Sequence, residues 1–319
     1  MEPSEPISHR VRLVSMRYGA PDIVLYEFEA MDQADLAPVD AGAHLDVFMP
    51  GGLVRQYSLL TPLCDARHYV VGVKREETGR GGSKWLHDSA RVGQILEVSS
   101  PRNHFALVAS DAPVLLLAGG IGITPIYSML QTLRAQGRTV HLHYWCRSAE
   151  HVLFGSALKD QVDVTLHYPG SASTPRASMS EVLDGLAADT ELYCCGPQGM
   201  LDELESLAAT LGHQRVHLER FQATAPAATA EQAFTVVLAR SGGEVQVNPG
   251  QNILQALLDA GADVLYSCEQ GICGACEVNV IDGQPVHCDS VRSAEEHARR
   301  GSMMICCSSS ASSRLILDI

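Results

Sequence analysis

From Val24 to Val98 the apolar residues come in short runs separated by turn chemistry. Val24–Glu29, Leu45–Met49, Gln56–Leu59, Tyr69–Val73 and Ile95–Val98 read as strands, with turns at Pro50-Gly51-Gly52 and Val92-Gly93. Many short strands with little helix predict a small antiparallel β-barrel. At Pro113 the pattern changes. Residues 113–118 form a continuous apolar run, as in a parallel strand buried on both faces. A helical period over Ile126–Gln136 follows, with Thr124 expected at the N-cap and Pro125 at the first helical position. Strand Val140–Cys146, a helical segment, strand Val162–Tyr168, helix Ser180–Leu186 and strand Glu191–Cys195 continue the alternation. Such alternation predicts an α/β doubly wound parallel sheet.

The segment Ala223–Gln232 is small, polar and featureless, and reads as a tether. Beyond it, Phe234–Arg240 and Glu244–Val247 form a hairpin pattern around Ser241-Gly242-Gly243. Asn252–Ala260 has a helical apolar face, and Val278–Ile281 and Leu315–Leu317 read as strands. The expectation is a multidomain chain: a barrel over 1–108, an α/β domain over 109–222, a linker at 223–232 and a small α+β domain over 233–319.

Composition narrows the possible functions. With 46% hydrophobic residues in 319, the chain has enough apolar mass for several cores. Lys and Arg total 23 against 37 Asp and Glu, a formal net charge of −14. That balance gives no electrostatic footprint for nucleic acid or an anionic membrane. The opening residues lack the pattern of a signal peptide. The most apolar stretch, Val114–Leu130, is broken by Gly119-Gly120 and Thr124-Pro125, so it does not read as a membrane span.

Ten cysteines carry the strongest chemical signal. Cys268, Cys273 and Cys276 are spaced C-x4-C-x2-C, and Cys306 follows downstream. This is the plant-type spacing for a [2Fe–2S] cluster held by four thiolates. Gly271 and Gly274 let the loop bend around a compact inorganic core and aim amide groups at sulfur. The competing readings are buried structural thiols or zinc. Zinc sites usually space both ligand pairs as C-x2-4-C, whereas the second half here offers only adjacent Cys306 and Cys307. A thiolate cluster needs a reducing compartment, which points to the cytoplasm.

Upstream, Arg55-Gln56-Tyr57-Ser58-Leu59 places Arg55 and Tyr57 on one strand face and Gln56 and Ser58 on the other. Taken alone it reads as an exposed charge beside a core aromatic. Gly79-Arg80-Gly81-Gly82-Ser83 opens a short helix whose free amides suit a phosphate, or forms a plain loop. Two strand-to-helix turns, Gly119-Gly120-Ile121-Gly122-Ile123-Thr124-Pro125 and Cys195-Gly196-Pro197, lie at the carboxyl ends of strands, where open α/β sheets bind ligands.

The R-x-Y-S strand and the G-G-S segment resemble the flavin-binding barrel of the ferredoxin-reductase superfamily. The resemblance implies that Arg55, Gln56, Tyr57 and Ser58 line the flavin and that Gly81, Gly82 and Ser83 meet its phosphate, with Arg55 sharing that phosphate. Backbone at Val73 and Lys74 would meet the ring's polar edge. A terminal phosphate seated on a helix start suits FMN. The two glycine turns resemble the pyridine-nucleotide domain of the same superfamily. Gly119, Gly120 and Thr124 would then face cofactor and flavin, and Cys195, Gly196 and Pro197 the nicotinamide. Arg147 would meet adenosine phosphate or stay solvated. Phe221, in Val216-His-Leu-Glu-Arg-Phe221, would border FMN or pack in a core. The last domain resembles a β-grasp ferredoxin, whose C-[CV]-S ending makes Cys306 rather than Cys307 the fourth ligand.

The order of the three parts is similar to the phthalate dioxygenase reductase family, which includes vanillate O-demethylase reductases. Lys74-Arg75, Ser100-Pro-Arg-Asn-His-Phe105 and Cys194-Cys-Gly-Pro-Gln198 match its pattern, while Leu60-Thr61-Pro62 departs from it. The resemblance implies electron transfer from NADH through FMN to the [2Fe–2S] cluster. It also implies a transient complex with a terminal Rieske-type oxygenase. NADH is favoured over NADPH because no dense basic cluster follows Arg147. A reductase for a haem monooxygenase and a flavin/iron–sulfur redox sensor are the other readings.

Overall fold

The computed structural model describes residues 8–31, 35–169, 177–223 and 229–319. The chain divides into two compact units, Met1–Glu219 and Arg220–Ile319.

The first unit opens with six antiparallel strands: β1 (Ser8–Ala20), β2 (Ile23–Ala30), β3 (His44–Met49), β4 (Leu53–Ser58), β5 (His68–Lys74) and β6 (Ile95–Ser99). They are ordered β4-β3-β6-β1-β2-β5, and a bridge between Leu59 and Val71 joins the two ends into a barrel. Alternation explains its filling. Val11 and Leu13, Tyr26 and Phe28, Leu45 and Val47, and Tyr69, Val71 and Val73 share one core. Helix α1 (Gly82–Asp88) lies between β5 and β6. The longest strand, β1, is absent from the sequence pattern. A register shift between Leu13 and Ser15 interrupts its period of two, as a bulge does.

A second, parallel sheet holds β7 (Val114–Gly119), β8 (Val140–Trp145), β9 (Val164–His167), β10 (Glu191–Cys195) and β11 (Val216–Glu219), ordered β11-β10-β7-β8-β9. Helices α2 (Ile123–Ala135), α3 (Gly155–Leu158), α4 (Met179–Leu183) and α5 (Gln198–Leu211) connect the strands. Successive residues of β7 serve opposite faces. Leu116 and Ala118 pack with α2 residues Ile126, Met129 and Leu130, whereas Leu115 and Leu117 pack with Leu183, Leu201 and Leu204 of α4 and α5. Each such leucine contributes about 1.5–3 kcal/mol by burial. The α2 face also takes in Ala20, Ile23, Leu25 and Leu60, so one core joins barrel and α/β sheet. The expected cap of α2 is corrected here. The helix begins one residue before Thr124, its N-cap is Gly122, and no side chain caps it.

The second unit contains β12 (Phe234–Leu238), β13 (Glu244–Val247), α6 (Ile253–Asp259), β14 (Glu277–Asp282), β15 (Pro285–Val286), α7 (Ala294–Arg300), β16 (Ser302–Met304), β17 (Ser309–Ser310) and β18 (Arg314–Leu317). The main sheet runs β13-β12-β18-β14-β16, with β12 and β18 parallel. Helix α6 lays Ile253, Leu254 and Leu257 onto this sheet, and Asn252 caps it by accepting from the Gln255 amide at 2.8 Å. This is the β-grasp arrangement. Residues 224–228 of the expected tether lie outside the described residues, and Ala230 already packs in the core of the second unit. Among the described residues no helix is long and apolar enough to cross a membrane.

Candidate functional site: a four-thiol cage and two glycine-lined turns

The loop from α6 to β14 brings Cys268, Cys273 and Cys276 together, and the residue two places after β16 adds Cys306. All four are buried. Cys268 interacts through its side chain with Cys273 and Cys306, and Cys276 with Cys306. Cys306 is held far below the usual thiol range because the Cys268 and Cys276 thiols donate to it. Amides also turn inward. The Gln270 N–H donates to Cys268 Sγ at 3.3 Å, and the Gly271 N–H donates to Cys306. Convergent soft donors backed by amide hydrogen bonds fit an iron–sulfur cluster.

Gly271 is essential to this geometry. Its φ is +66°, and a Cβ there would lie 2.4 Å from Cys307 Sγ and 3.0 Å from Asp289 Cα. Cys307 is buried beside that glycine, with its thiol toward Met304 O at 3.8 Å and in side-chain contact with Cys306. Unlike Cys306, it has no side-chain interaction with Cys268 or Cys276 among those that shift its thiol.

In the barrel, Arg55 lies on β4 against the start of α1. Its Nη2 donates to Arg80 O at 2.5 Å, and a Cβ on Gly82 would come within 2.4 Å of its Cγ. Gly81 has φ of +90° and precedes α1 as its N-cap. Ser83 Oγ accepts from the Glu76 amide at 3.1 Å. Burial raises the Tyr57 hydroxyl, while Arg55 acts in the opposite sense. Ser58 Oγ is buried without a hydrogen-bond partner among the described residues, an orphan donor on the R-x-Y-S strand. Val73 is buried, with its carbonyl 3.0 Å from His87 Nε2, and Lys74 pairs with Glu76. Gln56 differs from its neighbours. Its Nε2 donates to Asp46 Oδ1 at 2.8 Å, and Asp46 is also gripped by Arg102 through two bonds of 2.8 Å. Its side chain therefore braces the barrel.

The two turns of the α/β sheet meet backbone to backbone. A Cβ on Gly119 would fall 2.6 Å from Pro197 Cδ, and one on Gly122 would fall 2.1 Å from Cys195 O. Gly120 has open space around it and a φ of +55°. Thr124 is buried, donates to Ile121 O at 3.0 Å, and sets its methyl 2.9 Å from where a Cβ of Gly72 would stand on β5. It thus links the turn to the barrel. Arg147 is exposed just past β8. Phe221 is 38% exposed, so it is not a core residue, and it belongs to the second unit.

One residue escaped the sequence reading. Glu219 ends β11 directly beside Cys195 of β10. Its Oε2 is shut away from solvent without a partner among the described residues. Burial pushes its carboxyl up to about 8, while a hydrogen bond with Cys195 pulls the other way. The Cys195 thiol is itself raised well above its ordinary range, first by burial and then by Glu219, which keeps it protonated. The signal was present in the strand pairing, since a parallel register places the last residues of β10 and β11 side by side.

A barrel and a nucleotide-type sheet sharing one core, joined to a four-thiol ferredoxin unit, define a modular electron-transfer oxidoreductase. Residues 236–311 match the family model of the 2Fe-2S iron-sulfur cluster binding domain. The chain is 43% identical to "Phenoxybenzoate dioxygenase subunit beta" of Ectopseudomonas oleovorans over 98% of each protein. It superposes on the solved structure of phthalate dioxygenase reductase with a TM-score of 0.71 and 35% identity, covering 100% of both chains. It also matches an intact type IV self-sufficient cytochrome P450 monooxygenase with a TM-score of 0.88 and 34% identity, spanning 42% of that longer chain. The chain belongs to the phthalate dioxygenase reductase family.

Proposed function

We propose that this chain is the reductase component of a two-component Rieske-type oxygenase, carrying electrons from NADH by way of FMN and a [2Fe–2S] cluster to the oxygenase. The observation that carries this reading is the four-thiol cage in the same chain as the paired turns at Gly122 and Cys195. When bound, NADH supplies an electron pair as hydride, FMN exchanges electrons in pairs or singly, and the cluster takes one at a time.

The chain's own residues supply binding and exclusion. Cys268, Cys273, Cys276 and Cys306 hold the cluster. Arg55 and the amides at Gly81–Ser83 hold the FMN phosphate, Tyr57 and backbone at Val73 and Lys74 border the ring, and Ser58 Oγ finds there the partner it lacks among the described residues. Gln56 contributes backbone only, because its carboxamide is committed to Asp46. Gly119, Gly120 and Thr124 shape the floor on which nicotinamide and flavin meet, with Cys195, Gly196 and Pro197 opposite. Arg147 reaches the adenosine phosphate. Glu219 holds a proton near neutral pH beside that floor. The same reading takes 1–108 as the barrel, 109–222 as the nucleotide domain, 223–232 as the linker and 233–319 as the ferredoxin, although Ala230 already packs in the core of the second unit. A reducing cytoplasm suits the thiolate ligands.

The test is NADH-driven reduction of cytochrome c. Rapid turnover is expected, with Cys268→Ser abolishing it while sparing most NADH-dependent ferricyanide reduction, which draws on the flavin. Loss of both activities in that variant would sink the proposed electron order. A second reading, delivery to a haem monooxygenase, is favoured by the likeness to the self-sufficient P450. Reconstitution with purified Rieske oxygenase or P450 partners separates the two.

A further inference from the structure

The second unit holds a buried ion pair that none of the steps above uses. The side chains of His297, on α7, and Asp289 are both fully shielded from solvent, with His297 Nε2 2.7 Å from Asp289 Oδ2. The other ring nitrogen, Nδ1, lies 2.9 Å from the carbonyl of Ser302. A carbonyl only accepts, so Nδ1 carries a hydrogen. Nε2 faces a carboxylate, so a proton is shared there too. Both ring nitrogens thus have the donor geometry of an imidazolium held between a carboxylate and a carbonyl. His287 stacks on the His297 ring at 3.9 Å and 3°, and burial together with that neighbouring charge lowers its own basicity. The nitrogen lone pairs of stacked rings lie in parallel planes and do not converge on one ion. The trio is therefore not arranged as a metal site, although its donor atoms lie within 4.8 Å of one another.

The position of the pair gives it a function. Asp289 abuts Gly271, the loop glycine with no room for a side chain. The Ser290 amide donates to Gly271 O at 2.8 Å, and the Gly271 amide donates to Cys306. Asp289 Oδ1 also accepts from the amides of Val291 and Arg292, both at 3.1 Å, which fixes the turn. One carboxylate thus anchors the segment that buttresses the cysteine loop, and His297 balances its charge. Arg292 gives its hydrogen bonds to Glu277 at 2.8 and 2.7 Å and reaches Asp289 only through its charge, so His297 is the side chain that bonds the carboxylate.

We propose that His297 and Asp289 are paired positioning residues that set the reduction potential of the cluster through opposed buried charges. This rests on the reading that the four cysteines hold a [2Fe–2S] cluster. One electron added to the cluster adds one negative charge, with no bond made or broken. The imidazolium favours that charge and the carboxylate opposes it. Together they nearly cancel, and removing either leaves the other uncompensated in a medium of low dielectric.

The experiment is a redox titration of the full-length protein with FMN and cluster in place, followed by visible absorption and by the electron paramagnetic resonance of the reduced cluster. His297→Gln should lower the cluster potential and Asp289→Asn should raise it. Each shift should reach at least about tenfold in the one-electron equilibrium, about 59 mV. His297→Lys, which keeps the charge, should stay near the wild-type value. Shifts of the same sign, or none, overturn the proposal, because a merely structural role predicts one of these. If either neutral variant fails to hold its cluster, His297→Lys decides. A loaded cluster with wild-type potential supports the charge role, and a lost or displaced one overturns it. Absence of any reduced-cluster resonance in the wild-type protein would instead overturn the underlying cluster reading.

Discussion

Glu219 gives a prediction whose sign and size follow from its surroundings. Its Oε2 is shut away from solvent beside Cys195, and burial raises the carboxyl from an ordinary 4.5 to about 8. At low pH the carboxyl is protonated in both folded and unfolded chains, and it contributes nothing to the pH dependence. Between those two values the unfolded chain releases the proton while the folded chain retains it. Stability therefore falls as pH rises through this window, by about 1.4 kcal/mol per unit, and the penalty is constant above about pH 8. Glu219→Gln keeps the shape and removes the titration. Relative to the variant, the wild-type protein should lose about 2–4 kcal/mol between about pH 5 and pH 8, the lower figure allowing for the residue's partial exposure. For a unit of this size that corresponds to about 4–16 °C in melting temperature. Both tryptophans, Trp85 and Trp145, belong to the first unit, so their fluorescence follows its unfolding alone. Parallel melting curves for the two proteins across this pH range would refute the argument, because a solvated or ion-paired carboxylate gives no widening gap.

Other substitutions separate roles that sit close together. Arg55→Gln should weaken retention of FMN about tenfold or more, since a charged phosphate contact is lost, as measured by flavin release on dilution. Gln56→Ala should leave flavin affinity nearly unchanged and lower stability by about 1 kcal/mol, read by denaturant titration, because its amide serves Asp46. Gly122→Ala forces a Cβ to within 2.1 Å of Cys195 O, and stopped-flow measurement should find NADH-driven flavin reduction slowed or lost. Gly271→Ala combines a left-handed backbone with a collision at Cys307, and iron analysis should find the cluster depleted while flavin content is kept.

The parts legible in the sequence are those fixed by local rules. The C-x4-C-x2-C spacing identifies the metal loop because three ligands within nine residues constrain only their own backbone. The alternation of apolar runs identified the α/β sheet because β7 is buried on both faces and lacks polar interruptions. The start of α7 is fixed by a local rule as well. Ser293 and Glu296 form a capping box that starts α7, with amide contacts of 3.2 and 2.9 Å, and their S-x-x-E spacing is readable without coordinates.

What stayed hidden depends on partners distant in the chain. Gly119 and Gly120 attract attention as a pair, yet Gly120 is open and Gly122 is the tightest, pressed against Cys195 from a different strand. No rule local to residues 119–125 distinguishes these glycines, because the constraint is the backbone of the second turn. Glu219 follows the same logic. In sequence it is one acid in a short strand, and only the pairing of β10 with β11 encloses it beside a thiol. His297 extends the point. On α7 it occupies a last-turn position where a basic residue favourably meets the helix dipole, and that local rule suffices to account for it. Its burial against Asp289, and through Asp289 against Gly271, is a property of three segments assembled around the cysteine loop. Spacing reveals the ligands of such a centre, whereas the charges expected to set its potential emerge only when the chain has closed around it.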